Sequence, residues 1–160
     1  MKKAWIAIII LASAGLVQAQ SIDVSANFGI LTRGDFDFKP LVFSGNVTFD
    51  VAVGGLFMVS PECTLYVNNK FETDSLILAP GGTFNLTRGQ LFVGAGIVKE
   101  IWLKKSAGLS IPLELKLQAG VRASKFRLGA YMLTAWKELF SDLSFGFTLG
   151  FALGLPALSC

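Results

Sequence analysis

From Asp142 to Gly154 the chain reads Asp-Leu-Ser-Phe-Gly-Phe-Thr-Leu-Gly-Phe-Ala-Leu-Gly. Leu143, Phe145, Phe147, Leu149, Phe151 and Leu153 fill every odd position, and Asp142, Ser144, Gly146, Thr148, Gly150, Ala152 and Gly154 every even one. An unbroken period of two specifies a continuous β-strand, because a helix would scatter the same apolar set around its axis. One face is bulky and apolar and the other small or polar. A wall between hydrocarbon and a narrow lumen requires that division.

The same alternation runs through the chain. Ile22, Val24, Ala26, Phe28 and Ile30 alternate with Ser21, Asp23, Ser25, Asn27 and Gly29, and turn chemistry follows from Arg33 to Pro40. A second strand sets Phe43, Val47, Phe49, Val51 and Val53 against Ser44, Asn46, Thr48, Asp50 and Ala52, with Gly54, Gly55 and Ser60-Pro61 expected to end it. A third places Leu65, Val67 and Phe71 opposite Thr64, Tyr66, Asn68, Lys70 and Glu72; a fourth spans Leu76 to Thr87 and contains Pro80, an awkward residue inside a sheet. The fifth runs from Leu91 to Trp102, the sixth from Leu109 to Arg122, and the seventh from Lys125 to Trp136. With Asp142–Gly154 as the last, eight strands use up the chain beyond its N-terminal leader. Each is about as long as the 9–11 residues that a tilted membrane strand needs.

The N-terminus carries Lys2 and Lys3, an apolar run from Ala4 to Val17, and the small residues Val17 and Ala19 before a polar Gln20. That is the pattern of a secretory signal peptide cut after Ala19. The expected organisation is a leader over 1–19 and one β-barrel over 20–160. Export without a later apolar helix leaves a soluble barrel, as in lipocalins, or a closed barrel in a membrane, since a closed sheet satisfies its backbone polar groups in lipid. Three observations select the membrane. Charged residues are only 16% of the chain against 52% hydrophobic, too few for a wetted outer surface. The polar face is crowded with Gly, Ala, Ser and Thr, which fit a cramped interior. Its charges balance, with Lys70, Lys116, Arg122, Lys125 and Arg127 against Asp23, Asp50, Glu72, Glu114 and Asp142. The expected fold is therefore all-β, an eight-stranded antiparallel up-and-down transmembrane β-barrel, with Trp102 and Trp136 as an aromatic girdle at one rim.

Ser144-x-Gly146-x-x-Leu149-x-Phe151 resembles the C-terminal signal, polar-x-Gly-x-x-hydrophobic-x-hydrophobic, of outer-membrane proteins. With the eight-strand pattern, the chain resembles the small barrels of the OmpA, OmpX and OmpW kind. The resemblance implies the outer membrane of a diderm bacterium, recognition by the barrel assembly machinery, contact with outer-membrane lipid, and a role in envelope integrity, adhesion to a host or envelope surface ligand, or passage of small apolar solutes. Members of the family commonly end on the last aromatic of the signal, whereas this sequence continues to Cys160.

No histidine is present, which removes the usual general base and the commonest metal ligand, so neither an enzyme nor a cofactor is expected. The net charge of +3 includes two leader lysines and leaves no nucleic-acid footprint. The sequons at Asn46 and Asn85 lie in strands, and Arg33-Gly34-Asp35 is ordinary turn chemistry as well as a match to an integrin-binding tripeptide. Cys63, placed in the turn between strands two and three, and Cys160 are expected on one oxidising side, within reach of a disulfide. In the lumen, Asp23, Asp50, Arg122, Lys125 and Arg127 fall at the end near the N-terminus, Glu114 and Lys116 in the middle, and Lys70, Glu72 and Asp142 at the other rim. Glu114 is expected to pair with Lys116 or Arg122. Two functions stay open: a structural or surface-interaction barrel with a closed, salt-bridged lumen, and a narrow channel for small solutes.

Overall fold

A computed structural model describes residues 19–33, 41–53, 55–68, 70–71, 76–103, 113–137 and 143–155. They form β1 (Ala19–Arg33), β2 (Leu41–Val53), β3 (Phe57–Asn68), β4 (Ile77–Arg88), β5 (Leu91–Lys99), β6 (Ile101–Trp102), β7 (Leu113–Ala123), β8 (Phe126–Ala135) and β9 (Leu143–Leu155). Every pairing is antiparallel between chain neighbours, and β9 returns to pair with β1 from Ile22↔Leu155 to Arg33↔Ser144. The sheet thereby closes on itself. β5 and β6 are one wall: both pair with β4 in a single register, from Gly81↔Val98 to Leu78↔Ile101. The gap at Glu100 lies opposite Ala79-Pro80, where proline supplies no N–H to the ladder. Counted so, the barrel has eight strands.

Burial alternates along the strands in the sense expected, except where Thr32 and Thr134 are buried beside Leu31 and Leu133. Phe28, Leu91, Leu128, Leu149 and Leu153 project outward and are exposed, while Ser25, Asn27, Thr48, Asp50, Ser60 and Asn85 are buried inside. A soluble barrel would reverse this, so the apolar wall is the face toward hydrocarbon. At one end the strands are joined tightly, by residues 54–56, 89–90 and 124–125, with Gly55, Gly89 and Ser124 at positive φ. The opposite end carries the longer connections 34–40, 69–76, 103–112 and 136–142. Short turns on one side and longer connections on the other characterise outer-membrane barrels, whose short turns face the periplasm. These ends are called inner and outer below.

The third strand departs from expectation. Ser60-Pro61 does not end β2 but lies within β3, which begins at Phe57. Pro61 points outward, and the β2–β3 ladder lapses only between Thr48↔Glu62 and Val51↔Val59 before resuming in register. Cys63 is consequently in mid-strand, exposed and free on the outer wall between Val47 and Pro80, not in a turn. Its expected partner Cys160 lies outside the described residues, as do the leader segment 1–18, Gly34, Asp35, Glu72 and Asp142.

Candidate functional site

The interior is stacked in three levels. At the inner level, register sets Asp23 directly beside Asp50 on β1 and β2, and Arg122 directly beside Arg127 on β7 and β8. Like charges directly opposite on neighbouring strands repel. Each pair is relieved by the other across the bore: Arg122 bonds Asp23, and Arg127 Nη1 donates to both oxygens of Asp50 at 2.9 and 2.7 Å. The Arg127–Asp50 pair is nearly sealed, its side chains 6% and 1% exposed. The Arg127 guanidinium also lies 4.7 Å from the centroid of Phe92, whose ring occupies space left by Gly120.

The middle level is a polar network built by β1, β2, β3, β4 and β7. Asn27 Nδ2 donates to Asn46 Oδ1 at 3.0 Å, and Asn46 Nδ2 donates to Glu62 Oε2 at 3.2 Å and Thr64 Oγ1 at 2.7 Å. Lys116 Nζ reaches across to Glu62 Oε1 at 2.5 Å. Beside them Gln118 Nε2 donates to Asn85 Oδ1 at 2.6 Å and Thr83 Oγ1 at 2.9 Å, while Asn85 Nδ2 donates to Ser60 Oγ at 3.0 Å. Asn46 and Asn85, the two sequon asparagines, are thus interior struts. Most polar groups at this depth find partners within the wall, as buried polar groups must. The space that remains at this depth, lined by Asn27, Thr48, Glu62, Lys116 and Tyr131 among others, is about 20 Å³. That is room for a single water, which needs roughly 10–15 Å³.

The outer level is largely apolar, with Glu100 buried beside it. Leu31, Tyr66, Ile77, Ala79, Val98, Tyr131 and Leu133 pack together, with Val42 and Trp102 against them. Trp102 has the inward parity of Phe92, Gly94 and Gly96, so it belongs to this plug and not to a lipid-facing girdle. Trp136, by contrast, is 54% exposed beyond β8 and donates its backbone N–H to Leu113.

The structure brings together four of the expected lumen charges as Asp23–Arg122 and Asp50–Arg127, and sets Lys116 in the middle as anticipated. It corrects three other placements. Lys116 bonds Glu62 and Arg122 bonds Asp23, in place of the Glu114 expected for one of them; Glu114 sits near the outer end of β7, level with Val98 and Ala135. Glu62 escaped notice because β3 was expected to begin after Pro61, although Met58, Ser60, Glu62 and Thr64 alternate with Phe57, Val59, Pro61 and Cys63 without a break. Lys125 is outside, in the β7–β8 turn, with Nζ 5.9 Å from the Phe151 ring centroid. Lys70 is exposed in a turn past Asn68, because β3 starts earlier and therefore ends earlier. Of the residues expected to form an assembly signal, Ser144 and Gly146 face the lumen and Leu149 and Phe151 face outward. Among the described residues no group of acidic or cysteine side chains is arranged to hold a metal ion.

No protein-family model matches the chain, and no curated protein matches it in sequence. Solved structures do match in shape. The crystal structure of Neisserial surface protein A superposes with a TM-score of 0.61 at 14% identity, over 82% of this chain and 96% of that one. A de novo designed transmembrane β-barrel matches with a TM-score of 0.51 at 12% identity, over 84% and 97%. The fold is that of the small transmembrane β-barrels. At such identities the likeness concerns architecture alone, and the lumen has to be interpreted from its own residues.

Proposed function

We propose that this protein is an integral outer-membrane barrel with a structural or surface-interaction role, its lumen closed to steady passage of solutes. The observation that carries this is the occupancy of the bore: three cross-lumen ion pairs, a hydrogen-bonded middle and a largely apolar plug leave about 20 Å³ at mid-depth, although a recess of about 250 Å³ opens at the inner end beside Met58, Phe92 and Arg122. A solute pathway would need that plug and all three pairs to part together. The exposed apolar wall and the short inner turns support the outer membrane as the site, reached by export and by the assembly machinery reading Ser144, Gly146, Leu149 and Phe151. The name of the Neisserial protein, a surface protein, agrees with a surface role.

Conductance of the purified protein in a planar bilayer tests the proposal. The expected record is a quiet baseline with brief, rare openings at most. Steady, reproducible current steps from the wild-type barrel would overturn it in favour of the narrow solute channel.

A further inference from the structure

The outer wall is not evenly filled. On β4, β5 and β7 a groove of about 720 Å³ runs between the outward side chains of Leu86, Leu91, Val93 and Val121, with the small Ala119 at its floor. Val93 and Ala119 also line a second depression of about 390 Å³ that continues outward to Leu117, Met132 and Phe145. Arg88 stands at the inner mouth of the groove, exposed, as the last residue of β4 before the Gly89-Gln90 turn. On these three strands the outward positions between Arg88 and Lys99 carry no charge. Eight residues of β4 separate the levels of those two cations, about 27 Å of strand or, at a tilt of about 40°, about 21 Å along the membrane normal, close to the apolar band of about 25 Å expected of such barrels. Arg88 therefore lies at the inner boundary of the hydrocarbon.

We infer that the groove is a binding site for one glycerophospholipid of the inner leaflet, its phosphate on Arg88 and an acyl chain along Leu86, Val93 and Ala119. The dimensions and the charge point the same way. From Val121 to Leu117 the two depressions run four residues, about 10 Å along the normal, which is two-thirds of the roughly 15 Å of hydrocarbon in one leaflet. A second barrel docked on this wall would leave Arg88 with no anion, since the described outward residues of these strands include no acid. A phospholipid satisfies both the apolar groove and the cation at its mouth.

The test is native mass spectrometry of the full barrel released from vesicles of phosphatidylethanolamine and phosphatidylglycerol. Wild type should retain one phospholipid. Arg88→Gln, which removes the phosphate contact, and Ala119→Phe, which fills the groove, should each lower that retained fraction about fivefold. Lys125→Gln, at the same rim but on another part of the wall, should leave it unchanged. Heat-modifiable gel migration identifies any variant that fails to fold, and the remaining groove variant then decides. Equal retention in all four proteins means annular lipid only and overturns the inference, as does a retained mass equal to a second copy of the chain. Retained lipid does not depend on lumen conductance, so this inference and the closed-lumen reading fail separately.

Discussion

Removing Asp50 should damage the barrel more than its size suggests. Asp50→Ala leaves the Arg127 guanidinium, 6% exposed, with no counter-charge in a bore where water has almost no room. Breaking a buried pair from one side typically costs about 3–5 kcal/mol. The substitution also relieves the repulsion between Asp50 and its cross-strand neighbour Asp23, a gain of up to about 1 kcal/mol. The net expectation is a loss of about 2–4 kcal/mol. Removing both partners strands no charge, so Asp50→Ala with Arg127→Leu should be less destabilised than the sum of the single changes, and close to Asp50→Ala alone or better. Urea unfolding of vesicle-embedded protein, followed by Trp136 and Trp102 fluorescence, measures all three variants against wild type. A single-variant loss below 1 kcal/mol together with strict additivity would refute the reasoning, because it would mean that water already solvates Arg127.

The middle level makes a parallel case: Glu62→Ala unpairs Lys116 and removes an acceptor from Asn46, so it should lower the temperature at which the folded gel band is lost by more than Glu114→Ala does, and the reverse ranking counts against the network. Gly146 sits against the Tyr131 ring with no space for a side chain, and Gly146→Ala should cost about 1–3 kcal/mol by overpacking. Combining it with Tyr131→Leu should recover part of that loss in the same denaturation assay, whereas full additivity would place the ring elsewhere. Cys63, flanked outward by Val47, Leu65 and Pro80, should resist a charged thiol reagent in vesicles and react after unfolding; rapid labelling of the folded protein would show that this stretch of wall is wet.

Much of the fold was legible because one physical rule, a side chain on alternate faces, governs every wall residue. Leu143–Gly154 and Leu113–Ala123 obey it without exception in their outward apolar sets, Phe126–Ala135 departs from it only at Thr134, and the levels of Asp23, Asp50, Arg122 and Arg127 followed from counting along the strands. The errors came from treating single residues as punctuation. Pro61 looked like an end, yet an outward proline in a closed sheet interrupts the ladder only locally, so β3 continues and brings Glu62 to Lys116. Trp102 was assigned by its position at a strand end when parity already placed it inside. The apolar plug was hidden for a further reason. Leu31, Ile77, Val98 and Leu133 are apolar residues at inward positions, and alternation says nothing about which depth of a lumen is dry.

The pairing of β1 with β9 also dictates when the molecule can form. One edge of residues 22–33 pairs with β2, but the other finds its partner only at 144–155, so the seam that closes the sheet is the most distant pairing among the described strands. Until that seam forms, β1 and β9 are two open edges, each able to capture a strand from another copy. Hairpins such as β4–β5 and β7–β8 can assemble early through turns of two residues, but the ring waits for the last strand and carries a long loop-closure cost. A chain stalled or clipped before Leu143 would be not a weaker barrel but an aggregating sheet.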